Sequence, residues 1–232
     1  YQSSDVKMKN SRYEIKFVLS NPQVSQALEW IYFHTSAKLA HPNRLVNSIY
    51  FDDNDFTSVK DNLIGLSNRS KYRLRWYGDS RQNEEVDLNF EIKNRSNRTG
   101  DKTRKAIEFN DSLLRMSYGE IELALKEKLS PEIVFKKSLS PALQVCYLRK
   151  YLEGSNNIRI TLDSGIRYFS TSNNTKIFSS KPIRYPMTIM EIKFNPELLN
   201  TVSSSLRDFH LLPKRHSKYL TGISMLGNAV YI

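Results

Sequence analysis

At 232 residues and 27.0 kDa, the chain can bury roughly 70% of the surface its unfolded form exposes, so its core needs no disulfide or metal staple. A hydrophobic share of 39% with 11% aromatics excludes a disordered chain, and no apolar run approaches the roughly 18 residues of a membrane-spanning helix. Lys and Arg number 35 against 24 Asp and Glu, a net charge of +11, which favours an anionic partner: nucleic acid, membrane headgroups or phosphate compounds. Cys146 is the sole cysteine and excludes an intrachain disulfide. Between Val145 and Tyr147 it reads as a small packing residue, and the expected location is a reducing, cytoplasmic one. No signal-peptide pattern opens the chain. It begins on Tyr1 and not on Met, which leaves an upstream segment open.

In chain order, the first predicted strand is Arg12–Leu19. A helix follows from Asn21–Pro22, with Val24, Ala27, Leu28 and Ile31 at helical spacing and Pro in its first turn. Leu45–Phe51, Tyr72–Tyr77, Val86–Asn94 and Thr103–Phe109 are further predicted strands, rich in Ile, Val, Tyr and Phe. Asp111 is the predicted cap of a helix through Leu113, Leu114, Ile121, Leu123 and Leu125. Strands are predicted again at Leu143–Leu152, Asn157–Leu162, Ile166–Phe169 and Thr188–Phe194. A short helix is expected from Asn195–Pro196, and Ser217 caps a last one carrying Leu220, Ile223 and Leu226. With no repeat or low-complexity linker, this reads as one α+β domain over 1–232, built on an antiparallel sheet that is closed or nearly so.

The informative strands carry charge on alternate positions. A period of two puts Lys71, Arg73 and Arg75 on one face and Tyr72, Leu74 and Trp76 on the other. Glu91, Lys93 and Arg95 share a face opposite Phe90 and Ile92. Glu14 and Lys16 do so against Tyr13, Ile15 and Phe17, and Glu191 and Lys193 against Met190, Ile192 and Phe194. Tyr147, Arg149 and Tyr151 form a further polar face, followed by Arg159, Thr161 and Asp163. Any one such strand is ordinarily half wet, its charges in water. The recurrence of cations on several strands makes an inward basic face an alternative, which would bind a ligand of many negative charges. Glu14, Glu91 and Glu191 would partly neutralise that face and could offer oxygen ligands to a divalent metal. Tyr72 and Trp76 lie opposite the arginines, which argues against base stacking and hence against nucleic acid.

The chain resembles the VTC domain, the polyphosphate polymerase domain of the vacuolar transporter chaperone complex and its bacterial relatives. That domain belongs to the triphosphate tunnel (CYTH-like) superfamily. The resemblance runs from Arg12 to about Leu226. It rests on Arg12-Tyr-Glu-Ile-Lys-Phe17, Ser48-Ile-Tyr-Phe-Asp52, Tyr72-Arg-Leu-Arg-Trp-Tyr-Gly78 and Phe90-Glu-Ile-Lys-Asn-Arg95. Tyr147-Leu-Arg149, Thr161-Leu-Asp163, Met190-Glu-Ile-Lys193 and His216-Ser-Lys-Tyr219 complete it. Each motif is weak alone, and the eight in order are specific.

The resemblance implies an eight-stranded antiparallel β-barrel tunnel with helices on its outside. It implies Arg73, Arg75, Lys93 and Arg149 as catalytic cations. Lys16, Lys105, Tyr147, Arg159, Arg215, Ser217 and Lys218 are implied phosphate ligands, with Glu191 as the ligand of Mn²⁺ or Mg²⁺. The implied reaction transfers the ATP γ-phosphoryl to a growing inorganic polyphosphate chain. ATP and polyphosphate are then the expected partners, beside a membrane partner protein. The first strand carries only Glu14-x-Lys16, with Arg12 where the triphosphatase and cyclase branches have a Glu, which points to the polymerase branch. The competing expectations are a triphosphatase of the same fold and a non-catalytic polyphosphate-binding module.

Overall fold

The computed structural model describes residues 12–79, 86–96, 99–129 and 138–227. The ends of the expected 1–232 domain, before residue 12 and after 227, lie outside the described residues. Nine strands and five α-helices are present among those described. In chain order they are β1 (Tyr13–Leu19), α1 (Asn21–Thr35), β2 (Lys38–Asp52), α2 (Thr57–Leu63), β3 (Asn68–Tyr77), β4 (Leu88–Ser96) and β5 (Thr99–Ile107). Then come α3 (Tyr118–Lys128), β6 (Ser140–Glu153), β7 (Arg159–Phe169), β8 (Ile183–Arg184), β9 (Thr188–Phe194), α4 (Leu199–Arg207) and α5 (Lys218–Met225).

Hydrogen-bonded neighbours run β1-β9-β7-β6-β2-β3-β4-β5, with β8 beside β7. An antiparallel sheet with helices is therefore present. No ladder joins β5 back to β1 among the described residues, so the path is open where a ring of eight strands was expected. The chain divides into two compact units. One comprises Tyr1–Pro42, Lys150–Leu162 and Thr188–Arg215; the other comprises Asn43–Arg149, Asp163–Met187 and His216–Ile232.

In the first unit β1 and β9 pair along their whole length, from Tyr13 opposite Phe194 to Leu19 opposite Thr188. Ser20 and Gln23 form a capping box that starts α1, with Pro in the first turn as expected. That helix turns Ala27, Trp30 and Ile31 onto a core with Phe17, Leu19, Ile160, Leu162, Met190, Ile192 and Phe194. The Trp30 indole Nε1 donates to the Ser205 carbonyl at 2.9 Å, tying α1 to α4. Asn195–Pro196 opens a single 3-10 turn before α4, close to the expected helix start.

In the second unit Leu74, Trp76, Leu88 and Phe90 form a core with Tyr118, Ile121 and Leu125 of α3. The expected cap at Asp111 is displaced six residues: Ser117 and Glu120 form the capping box that starts α3. Asp111 instead accepts from the Ser112 N–H at 2.7 Å. Because Ser117 and Glu120 satisfy each other's orphan N–H groups, the first stable turn forms there. The two expected strands Asn157–Leu162 and Ile166–Phe169 are one, β7, continuous through Gly165, whose φ of +59° suits a residue without a Cβ.

Helix α5 is held by its own buried face. The Tyr219 hydroxyl donates to Asp52 Oδ2 at 2.6 Å, and Asp52 also accepts the Ser58 and Val59 N–H groups that open α2. The Tyr219 ring stacks on Tyr50 at 4.9 Å between centroids. On the same helix Gly222 leaves no room: an added Cβ would stand 2.6 Å from both Leu143 Cδ2 and Tyr168 Cδ1. Gly222→Ala should therefore overpack this contact and cost about 1–3 kcal/mol, read as a lower denaturant midpoint with an unchanged slope.

Candidate functional site

On β3 the apolar positions enter the core and the charged positions take the opposite face, as the alternation requires. Around Arg75 that face is not in water: Arg75 is 6% exposed and Glu91, on the neighbouring strand, 3%. Register brings Tyr50, Arg73 and Glu91 side by side on β2, β3 and β4, and Ser48, Arg75 and Asn89 in the next row. Arg73 donates from Nε to Glu91 Oε2 at 2.7 Å and from a terminal nitrogen to the Tyr50 hydroxyl at 3.3 Å. Arg75 donates to Ser48 Oγ at 3.2 Å and to the Tyr147 hydroxyl at 3.3 Å, with another nitrogen 3.9 Å from Glu91.

Tyr147 links this pair to a second group in the same unit. The Lys218 ammonium lies 4.6 Å from the centre of its ring and the Arg149 guanidinium carbon 5.3 Å. Arg149 holds Asp163 with two parallel hydrogen bonds of 2.6 and 2.7 Å, and Lys218 donates to the same carboxylate. Ser217 stands at the N-terminus of α5 as expected, but its hydroxyl makes no cap bond there; it accepts from Lys71 Nζ at 3.1 Å.

The charges of this cluster do not cancel. Arg73, Arg75, Arg149 and Lys218 bring four positive charges to two carboxylates, Glu91 and Asp163, and Lys102 reaches Glu91 from the rim. Burial works against both carboxylates, but their cations win. Arg73 foremost, then Lys102 and Arg75, holds the Glu91 pKa at about 2. Lys218 and Arg149 hold that of Asp163 at about 2. The surplus is felt at Tyr50, where burial pushes the phenol up but Arg73 and then Arg75 bring it down to about 8. Such a surplus in reduced dielectric is a site for an anion, with Arg forks matched to phosphate oxygens.

Other expected residues lie apart from this cluster. Lys105 is not brought to it: register puts Lys105 opposite Phe90, on the reverse face from Arg104, and its Nζ donates to the Lys128 carbonyl at 2.6 Å. One residue of offset is enough to reverse a strand side chain. Lys93 is exposed, between Lys71 and Lys102 in the register. In the other unit, Arg159 is largely exposed, 3.9 Å from Glu153, and Arg215 is exposed in the segment after α4.

That unit carries its own charged ladder. Glu14 faces Lys193 and Lys16 faces Glu191 across β1 and β9. Lys16 lies 2.6 Å from Glu14 and 3.5 Å from Glu191; Lys193 lies 2.6 Å from Glu191. Burial pulls the Lys16 pKa down, yet Glu191 and Glu14 raise it above the usual lysine value. Glu191 is lowered against its own burial by Lys193 and Lys16. No group of three or more His, Cys, Asp or Glu able to hold a metal exists among the described residues. Two carboxylates of oxygen-donor type fit a divalent ion only when a phosphate ligand supplies further oxygens.

Sequence alone assigns Tyr50 and Lys71 no site role, although parity already sets Lys71 on the face of Arg73 and Arg75; the structure brings Tyr50 to Arg73 and Lys71 to Ser217. Glu91 and Asp163 lie on the polar faces expected of them, but their pairing with Arg73 and with Arg149 and Lys218 joins different strands and α5 and is read only from the structure.

The sheet face of this α+β domain thus gathers more guanidinium and ammonium charge than its carboxylates neutralise. The VTC domain profile matches residues 11–227, and the chain belongs to this family. It is 23% identical to vacuolar transporter chaperone complex subunit 2 of Saccharomyces cerevisiae, over 78% of this chain and 28% of that protein. Against subunit 4 of Schizosaccharomyces pombe the identity is 23%, over 84% of this chain and 33% of that one. The chain thus spans about a third or less of these relatives. Among solved structures it resembles a Hippeastrum protein described as a candidate adenylyl cyclase with a dominant triphosphatase activity. The TM-score is 0.51 at 14% identity, covering 93% of this chain and 96% of that one. A candidate adenylate cyclase of Vibrio parahaemolyticus gives 0.50 at 12% identity, over 92% and 97%. These likenesses show a shared fold. No helix among the described residues is long and apolar enough to cross a membrane.

The Tyr50 phenol gives a pH signature. Because its folded value of about 8 lies below the unfolded value of about 10, it adds stability as pH rises from about 8 to 10. Phenolate absorbance should show one tyrosine titrating near 8, absent in Tyr50→Phe. Tripolyphosphate, by neutralising Arg73 and Arg75, should move that midpoint up.

Proposed function

We propose that this domain is a polyphosphate polymerase that transfers the γ-phosphoryl group of ATP to the end of an inorganic polyphosphate chain. The observation that carries the reading is the buried surplus of cations around Tyr147, within a member of the VTC family. Phosphoryl transfer asks the protein mainly for in-line positioning and for neutralisation of charge on the oxygens. Arg73, Arg75 and Arg149 would orient phosphates through paired N–H groups, while Lys93 and Lys218 act as point charges. Tyr147 would donate its hydroxyl to the same chain, and Ser217 and Lys71 would add donors at its edge.

In the step itself, a terminal phosphate oxygen of the acceptor forms a bond to the γ-phosphorus. The bond from that phosphorus to the β–γ bridging oxygen breaks, and ADP leaves with the electron pair. The attacking oxygen is already ionised, so no general base is needed. Mn²⁺ or Mg²⁺ belongs to the same proposal, with Glu191 and its neighbour Glu14 as holders; it would supply Lewis-acid polarisation of phosphate oxygens. Lys16, Arg159 and Arg215 enter as further phosphate contacts. The relatives are subunits of a complex, so a membrane partner protein and a cytoplasmic active face are part of the reading.

The test is incubation of the purified domain with γ-labelled ATP and Mn²⁺, followed by gel electrophoresis. A phosphatase-sensitive ladder is expected; free phosphate alone would make the domain a hydrolase, and neither product would leave a binding module. Arg75→Ala, checked for folding, should lower ladder synthesis roughly ten- to hundred-fold. Glu191→Gln should raise the Mn²⁺ concentration needed for half-maximal synthesis.

A further inference from the structure

The first unit carries a cleft of about 670 Å³ where the last turn of α1 meets the segment just after α4. Tyr32, Phe33 and His34 come from the helix end, while Asp208 and Phe209 follow Arg207, the last residue of α4. Glu29 and Trp30 stand one turn earlier on α1, on the side they share with Phe33 at spacings of four and three. The floor is aromatic and fixed. Trp30 stacks on His34 with 5.6 Å between ring centroids and tilts against Phe209 at 5.2 Å. Phe209 in turn packs edge to face on Phe17 of the core at 5.0 Å, and the hydrogen bond from Trp30 to Ser205 holds the indole. Phe33 meets His34 edge to face at 5.1 Å, yet it is 84% exposed.

The charge of this cleft is opposite to that of the chain. The protein carries +11, but among the described residues the cleft is lined by two carboxylates, Glu29 and Asp208, and by no Lys or Arg. Both carboxylates are exposed, and neither stands in an ion pair among the described residues. Asp208 is also the C-cap of α4, where free carbonyls already present partial negative charge and an acid is disfavoured. The last turn of α1 brings a second carbonyl terminus to the same cleft. A cation seated there would relieve all of these. Rings beside acids suit a guanidinium better than an ammonium, because its plane stacks on the rings while its N–H groups reach the carboxylates. A free cation would leave Phe33, and Tyr32 at 47% exposed, in water; an apolar residue beside the cation would cover them.

We infer that this cleft is a docking site for a protein partner that presents an arginine flanked by apolar residues. The guanidinium lies against the aromatic floor and is held by Glu29 and Asp208, and the flanking side chains cover Phe33 and Tyr32. The site lies wholly within the first unit and does not depend on the phosphate chemistry proposed above.

The test is titration of the purified domain with the peptide acetyl-Ala-Leu-Arg-Leu-Ala-amide, followed by NMR at the tryptophan indole N–H signals. The Trp30 signal should shift saturably, while that of Trp76, the other tryptophan, which lies in the core of the second unit, stays in place. The net charge of the domain repels a basic peptide, so such binding reports the local acids. Citrulline in place of the arginine should abolish it, and lysine should weaken it several-fold. Glu29→Gln/Asp208→Asn, at two exposed positions, should lower the affinity roughly tenfold, and Phe33→Ser should lower it several-fold with the charges kept. An unmoved Trp30 signal at millimolar peptide, or equal binding of the citrulline peptide, would overturn the site. Equally tight binding of spermidine would make it a pocket for small cations and overturn the docking of a protein. Self-association of the domain that the peptide reverses would make the occupant a second copy of this chain, and overturn the separate partner.

Discussion

Glu91 and Asp163 each serve more than one cation, and the cationic cluster depends on that sharing. Arg73, Arg75 and Lys102 converge on Glu91; Arg149 and Lys218 converge on Asp163. Without the two carboxylates, buried guanidinium groups would repel one another at a cost that few folds bear. With a carboxylate for every cation, the face would be neutral and indifferent to anions. Two acids among four central cations leave a surplus that the fold tolerates and a phosphate chain can satisfy. The depressed pKa values of both acids express the same balance, since each remains ionised far below the usual range.

The elements that frame this cluster each have a local cause. Alternation on β3 sends Leu74 and Trp76 into the core, so Arg73 and Arg75 must take the reverse face. Their neighbours come from register, Tyr50 and Ser48 on one side and Glu91 and Asn89 on the other. Lys218 arrives through α5, which is held by Tyr219 on Asp52 and by the close approach at Gly222. The cations thus sit on a rigid sheet and a pinned helix. An arrangement fixed in this way would leave little ordering to be done on binding, as the proposed catalysis by positioning requires.

Lys105 shows where a sequence motif stops being a guide. In the chain it stands beside Arg104, and only the ladder between β4 and β5 tells that Arg104 joins the Glu91 row while Lys105 faces the other way. The start of α3 is a milder case: Asp111 is as good a cap by residue type as Ser117, but only Ser117 has a Glu three residues on to complete the box. The short α2 and the two-residue β8 left no periodic signal to read. Tyr50 sits in a segment legible as a strand, yet its phenol is shifted by charges from β3, which no local pattern reveals.

By itself, the sequence determined the secondary structure of the charged strands, the separation of their cations from their apolar residues, and the family to which the chain belongs. A period of two and a small set of ordered motifs suffice for that, because both are properties of neighbours along the chain. Only the tertiary structure decided that the part of the cationic face around Arg75 and Glu91 is buried and not wet. It also decided that Glu91 serves Arg73 and Arg75, that Asp163 serves Arg149 and Lys218, and that Lys105 is turned away. Those outcomes depend on register and on which strand lies beside which, and pairing between segments distant in the chain leaves no mark within any one of them.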